Sequence, residues 1–307
     1  MSPALLAAID LGTNTALLHV ARLAPDGRLE PVEDLCRTPR LGAGLARSGV
    51  LDPAARARAL AVLAEYAARL ARLGVEPARL RVVGTACLRK ARDGAAFAAE
   101  VRASLGLPLE VLSEADEARL SALAAQEAGV DARSVVVDVG GGSTEVACEE
   151  LGVRLSRPIG AVELTETYMG EAPLAPGGYD ALVEHARREC RALPALLARG
   201  RAVVAIGGTG VNLACLHLGL ARFDPLAAEG CTIPAEAAGR LGRLLAGESL
   251  QARRARPMEW ERAEILPAGL ACLAAALERI SAETLRTTTR GLRHGLVREM
   301  AHGLPGD

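Results

Sequence analysis

Apolar and polar positions follow one pattern twice in this chain. Near the start, Leu5-Leu6-Ala7-Ala8-Ile9 leads into Asp10, then Leu11-Gly12-Thr13-Asn14-Thr15, and a second apolar run, Ala16-Leu17-Leu18-His19-Val20, follows. In the middle, Val135-Val136-Val137 leads into Asp138, Val139, Gly140-Gly141-Gly142, Ser143, Thr144 and Glu145 before another apolar run. Valine- and leucine-rich runs bounded by glycine predict a buried strand, a tight turn and a returning strand. Two such hairpins, each opening its own α/β half, suggest duplicated halves.

The intervening pattern supplies helices and further strands. Asp52-Pro53 predicts a helix start, with an acid at the N-cap and proline at the first helical position. Leu60, Leu63, Tyr66, Leu70 and Leu73 then share one face up to a stop at Gly74. A strand at 80–84 and a loop over 85–94 follow, then a helix over about 95–104 and a strand at 109–112. Ser113 and Asp116 have the spacing of a capping box at the next helix start. In the second half, a turn at Pro176-Gly177-Gly178 precedes an amphipathic helix to about 198. The buried strand 202–206 runs into Gly207-Gly208-Thr209-Gly210, a third glycine loop opening a helix. The polar, arginine-rich stretch from Glu248 to Glu264 predicts a surface excursion, and helices over about 267–280 and to about 302 complete the chain.

Composition narrows the class. The chain has 307 residues, enough for two domains of ordinary size. Half the residues are hydrophobic but only 2% are aromatic, so the cores must be built from Leu, Val and Ala. A net charge of −1 gives no global attraction to nucleic acid or membrane, and Lys90 is the only lysine. Seven widely spaced cysteines without a C-x-x-C argue against a disulfide framework or zinc site and fit a reducing cytoplasm. The five histidines form no pair with metal-ligand spacing along the sequence. No stretch reads as a signal segment or a membrane span.

The glycine hairpins carry the candidate chemistry. Three consecutive glycines let backbone N–H groups close on an anion. Asp138 and Glu145 would repel a phosphate unless a divalent cation lies between, with oxygen ligands of the kind Mg²⁺ prefers. The glycine loop at 207–210 also suits an anion or nucleotide. Asp116 is explained by the capping box. Glu117 has two readings at this point: a favourable interaction with the helix dipole, or a chemical role at a strand edge where open α/β sheets place function.

Several segments, in order, together resemble the exopolyphosphatase / guanosine pentaphosphate phosphatase (Ppx/GppA) family in its short two-domain form, within the actin-like ATPase superfamily. They are Ile9–Asn14, Arg40–Leu45, Thr85–Arg89 with Ala91–Gly94, Ser113–Leu120, Asp138–Glu145, Gly160–Glu166, Gly207–Thr209 and Arg290–Gly295. The resemblance implies an α/β fold of two actin-like (ribonuclease H-like) domains with an interdomain cleft. The first would cover 1–125, with the last helix, about 292–307, able to pack back on it, and the second 126–291. It implies hydrolysis of terminal phosphoanhydride bonds in polyphosphate or guanosine pentaphosphate, with Mg²⁺ or Mn²⁺ as cofactor.

Position by position, it makes Glu117 the general base, Asp138 and Glu145 catalytic and metal-associated acids, and Asp10 the corresponding acid of the first loop. Gly12, Thr13, Asn14, Gly140, Gly141, Gly142, Ser143, Thr144, Gly208 and Thr209 would contact phosphate, and Arg89 would face the polyanion. Arg81, Lys90 and Arg92 extend a basic run that could lead a phosphate chain inward. Two departures stand out: Glu114 replaces a glycine near the base, and Glu163 stands where many relatives carry a basic residue. A metabolite kinase of the same superfamily and a non-catalytic guanosine tetra- or pentaphosphate-binding regulator are the alternatives. The oligomeric state stays open, a homodimer included.

Overall fold

The computed structural model describes residues 4–169, 173–175 and 177–303, so Pro176 of the expected turn lies outside the described residues. The chain divides into two units, Met1–Glu127 with Leu292–Asp307, and Ala128–Gly291.

In the first unit, β1 (Leu5–Leu11), β2 (Ala16–Leu23), β3 (Leu29–Arg37), β4 (Leu80–Gly84) and β5 (Leu109–Val111) form a sheet in the order β3-β2-β1-β4-β5. The first three are antiparallel neighbours, while β4 and β5 run parallel to β1. At the sheet edge, β3 carries Pro31 and several acids, residues that discourage a further strand from pairing there.

The helix α1 (Pro53–Leu73) starts where the Asp52 side chain accepts from the Ala55 N–H at 2.9 Å and ends at Gly74 in a left-handed cap. Its inward face is Ala55, Ala59, Leu63, Tyr66 and Leu70, with the expected Leu60 and Leu73 only partly buried. The expected loop after β4 is instead a short helix, α2 (Ala86–Lys90). Its apolar triplet Ala86-Cys87-Leu88 is buried. A Cβ on Gly84 would come to 2.2 Å from the Leu88 side chain and one on Gly94 to 2.1 Å from the Leu88 carbonyl oxygen. The two glycines let this turn of helix tuck against the strand end. Two longer helices follow, α3 (Gly94–Leu105) and α4 (Glu114–Glu127).

The second unit repeats the plan. Strands β6 (Val135–Val139), β7 (Thr144–Cys148), β8 (Val153–Arg157), β9 (Val203–Ile206), β10 (Thr232–Pro234) and β11 (Thr284–Thr287) lie in the order β10-β11-β9-β6-β7-β8. Again three antiparallel neighbours, here β6, β7 and β8, are joined by parallel strands, here β9 and β11. Helices α5 (Ala161–Tyr168), α6 (Gly178–Cys190), α7 (Gly207–His217), α8 (Glu236–Ala246) and α9 (Leu266–Ile280) accompany this sheet. The core is Leu, Val, Ala and Cys, with α9 buried along most of its length. All seven cysteines are free thiols.

The stretch from Glu248 to Glu264 departs from the expected surface excursion. It contains a short helix, Leu250–Arg254, and Arg253 is buried, donating from Nη1 to the carbonyls of Ala263 at 3.0 Å and Glu264 at 3.2 Å. The segment is anchored through the cation that made it look exposed.

After Gly291 the chain returns to the first unit as α10 (Leu292–His302), which packs on α4. A Cβ on Gly295 would sit 2.1 Å from the Leu120 carbonyl oxygen, so this helix pair approaches closely only because position 295 is glycine. No described helix is long and apolar enough to cross a membrane.

Candidate active site

Each sheet delivers its functional residues at the carboxyl ends of its parallel strands, the place where open α/β sheets put ligands. In the first unit β1 ends at the Asp10 hairpin, β4 at the Thr85–Arg89 turn, and β5 at the start of α4. In the second, β6 ends at Asp138 and the glycines, and β9 at Gly207-Gly208-Thr209.

The first hairpin is braced from behind. Gly12 N–H donates to the Thr15 carbonyl at 2.8 Å, Gly42 N–H to Thr13 at 2.8 Å and Arg40 N–H to Asn14 at 3.0 Å. A Cβ at Gly42 would stand 2.3 Å from the Thr13 methyl, so the Arg40–Leu45 segment packs closely against the loop. Thr13 and Asn14 are buried. The Asn14 Nδ2 donor has no hydrogen-bond partner among the described residues. A buried donor left so costs about 1–3 kcal/mol, which an acceptor atom of a ligand would relieve.

Glu117 lies in the first turn of α4. Its neighbours build the expected capping box: Ser113 Oγ donates to Asp116 Oδ2 at 2.6 Å, and the Asp116 N–H donates to Ser113 Oγ at 3.1 Å. Asp116 is thereby committed to the helix start, and Glu117 projects elsewhere. It is 8% exposed, and Arg89 Nη1 donates to its Oε2 at 2.5 Å and to the Leu112 carbonyl at 3.0 Å. Burial raises the Glu117 pKa above the ordinary carboxylate value, Arg89 works in the opposite direction, and Glu114 adds to the rise.

Two other members of the basic run have partners of their own. Arg81 is engaged with Glu110 and Glu299, and Arg92 donates to the Ser48 carbonyl at 3.1 Å.

In the second unit, Asp138 and Glu145 are direct cross-strand partners, so both carboxylates leave the same face of the β6–β7 hairpin. Glu145 is 3% exposed, and its Oε1 accepts from Ser156 Oγ at 2.7 Å. The Gly140 N–H closes the turn on the Ser143 carbonyl at 2.9 Å. The carbonyls of Gly140 and Gly141 accept from the first N–H groups of α5, Ala161 and Val162, both at 2.9 Å. A Cβ on Gly160 would meet Gly141 and Gly142 backbone at 2.4–2.5 Å, which explains the glycine that precedes this helix.

Two of the expected phosphate contacts have hydroxyls already engaged with carbonyls. Thr144 Oγ1 donates to the Ile159 carbonyl and Thr209 Oγ1 to the Val139 carbonyl, each at 2.9 Å, and both residues are buried. These hydroxyls tie neighbouring segments together.

Gly207, with φ of 76°, opens α7, and a Cβ there would lie 2.7 Å from Asp138 Oδ1. The missing side chain leaves room beside that carboxylate. Hard oxygen donors from Asp138 and Glu145, with this space next to them, fit a divalent cation of the Mg²⁺ or Mn²⁺ kind. Asp10, at the end of β1, is the equivalent acid of the first unit.

One residue here was hidden in the sequence. Arg262 lays its guanidinium against Gly208, where a Cβ would come to 2.1 Å from Cζ, and its Nε donates to Glu259 Oε2 at 2.7 Å. The Glu259 N–H in turn donates to Asn212 Oδ1 at 2.7 Å, and Asn212 Nδ2 donates to the Gly208 carbonyl at 2.8 Å. A fixed cation therefore lies directly on the third glycine loop. The only sequence signal was an arginine in a polar segment.

Comparisons with known proteins place similar folds beside this chain. The Aquifex aeolicus member of the Ppx/GppA family is 26% identical, with a TM-score of 0.79 over 98% of this chain and 99% of that one. An exopolyphosphatase-like protein is 25% identical, with a TM-score of 0.87 over 97% and 99%. An exopolyphosphatase from Cytophaga hutchinsonii, 20% identical with a TM-score of 0.84 over 98% and 99%, shares the fold. With the model of the Ppx/GppA phosphatase family matching residues 20–304, the chain belongs to that family.

Proposed function

We propose that this protein hydrolyses the terminal phosphoanhydride bond of polyphosphate or guanosine pentaphosphate and releases orthophosphate. The observation that carries the reading is Glu117: a buried carboxylate at a strand's carboxyl end, held by an arginine, with its pKa raised toward the range a general base needs.

Glu117 takes a proton from water as the water oxygen bonds to the terminal phosphorus, and the bridging oxygen leaves with the bond's electron pair. Arg89 neutralises Glu117 in the resting protein, and a phosphate oxygen would draw the guanidinium toward itself and release the base. Within the first unit, Asn14 and the N–H groups of its loop offer donors to phosphate oxygens; within the second, Arg262 puts positive charge on the third glycine loop. Asp138 and Glu145 would hold a divalent cation, which would offset phosphate charge when bound.

Phosphate release measured side by side on polyphosphate and guanosine pentaphosphate, with Mg²⁺ and with Mn²⁺, tests the proposal. Release from one or both supports it. Tight nucleotide binding without release favours the regulator, and transfer from ATP to an acceptor other than water favours the kinase.

A further inference from the structure

The first unit carries a second cluster with ligand chemistry, built from histidines far apart in sequence. His19 on β2 is the cross-strand partner of Asp34 on β3, so their side chains share a face of the sheet. His294, in the first turn of α10, comes down on the same spot. His19 Nδ1 lies 3.6 Å from Asp34 Oδ2, and His294 Nε2 lies 3.3 Å from that same oxygen. The two rings are 4.2 Å apart and tilted by 43°. One ligand atom from each of the three residues falls within 4.8 Å of the other two.

We propose that His19, Asp34 and His294 form a binding site for a divalent transition metal of the Zn²⁺ class, separate from the glycine loops. Ligands about 2.0–2.1 Å from a tetrahedral zinc lie roughly 3.3 Å from one another, which is the spacing of the two nitrogen–oxygen pairs here. Two imidazoles and a carboxylate select zinc, cobalt or nickel over magnesium. The histidines are 3% and 4% exposed, whereas the Asp34 side chain is 39% exposed and gives an ion access from solvent.

Arg293 donates from Nε to Asp34 Oδ1 at 2.8 Å and from Nη2 to Oδ2 at 3.0 Å. On metal binding, Oδ2 turns a lone pair to the ion while Arg293 keeps Oδ1 and fixes the carboxylate. With the ion bound, the His294 ring would keep its proton on Nδ1 and present Nε2, the nitrogen now facing Asp34. The ion would clamp the start of α10 to the β2–β3 hairpin, just past the point where the chain re-enters the first unit.

The test is titration of the metal-free full chain with Zn²⁺ alone by calorimetry, and with Co²⁺ followed by its visible spectrum, alongside His19→Gln and His294→Gln. The expected result is one saturable site with imidazole–carboxylate bands and a higher unfolding temperature with Zn²⁺. Each substitution should weaken it by at least about tenfold, the scale on which even a residue that merely orients a ligand matters. Should a variant not fold, imidazole NMR of the unaltered chain decides: His19 and His294 alone among the five histidines should shift with Zn²⁺. Thiolate charge-transfer bands, binding unchanged in both variants, or no saturable site would overturn the proposal.

Discussion

Arg89 Nη1 holds Glu117 Oε2 at 2.5 Å while also donating to the Leu112 carbonyl at 3.0 Å, so one guanidinium fixes the candidate base and the strand end before it. The pairing has a cost. Burial disfavours the Glu117 carboxylate and raises its pKa, and Arg89 works against that rise. The same arginine is the cation a phosphate would compete for, which couples substrate arrival to release of the base.

That coupling predicts a particular pH dependence. Protonated Glu117 cannot accept a proton, so kcat/KM falls as pH drops through its raised pKa, above the ordinary value of about 4.3. In Arg89→Gln the opposing influence of the cation is gone and the acidic limb moves to still higher pH. Arg89→Lys restores it in part. A limb that stays in place in Arg89→Gln, or moves down, contradicts the pairing.

Arg262 makes a second prediction, since it touches the third glycine loop and not the base. Arg262→Ala should raise KM by about tenfold, the equivalent of about 1.4 kcal/mol of lost phosphate attraction, with kcat less affected. KM should also lose part of its salt dependence. Unchanged KM at low ionic strength would restrict Arg262 to holding Glu259.

How much of this was legible in the sequence varies with the kind of signal. The two hairpins, the Ser113 cap and the Asp52-Pro53 helix start rest on local spacing, and local spacing survives folding. The short helix α2 was missed because its cause is Gly84 and Gly94 closing on Leu88 from either side. Arg253 and Arg262 lie in a segment whose charge suggested solvent, yet one is buried on two carbonyls and the other lies on a glycine. Composition reports charge, whereas only packing reports where that charge is paired. The hydroxyls of Thr144 and Thr209 each donate to a carbonyl, partners that no local spacing shows. The His19–Asp34–His294 cluster needs cross-strand register and a returning helix, neither visible as a spacing.

The close approach of α10 to α4 gives a stability prediction. Gly295→Ala places a methyl group against the Leu120 backbone and should destabilise the chain by about 1–3 kcal/mol, as overpacking does. Thermal or urea unfolding reads this, and wild-type stability would show that the helices can part at no cost.

Substitution of the base decides the rest. Glu117→Gln keeps the shape and removes the proton acceptor, so single-turnover phosphate release from polyphosphate or guanosine pentaphosphate, with binding measured separately, isolates its role. The predicted result is a fall in rate of about 10²–10⁴-fold with affinity little changed. A rate near that of the unaltered protein, or a loss carried wholly by weaker binding, would contradict Glu117 as the group that activates water.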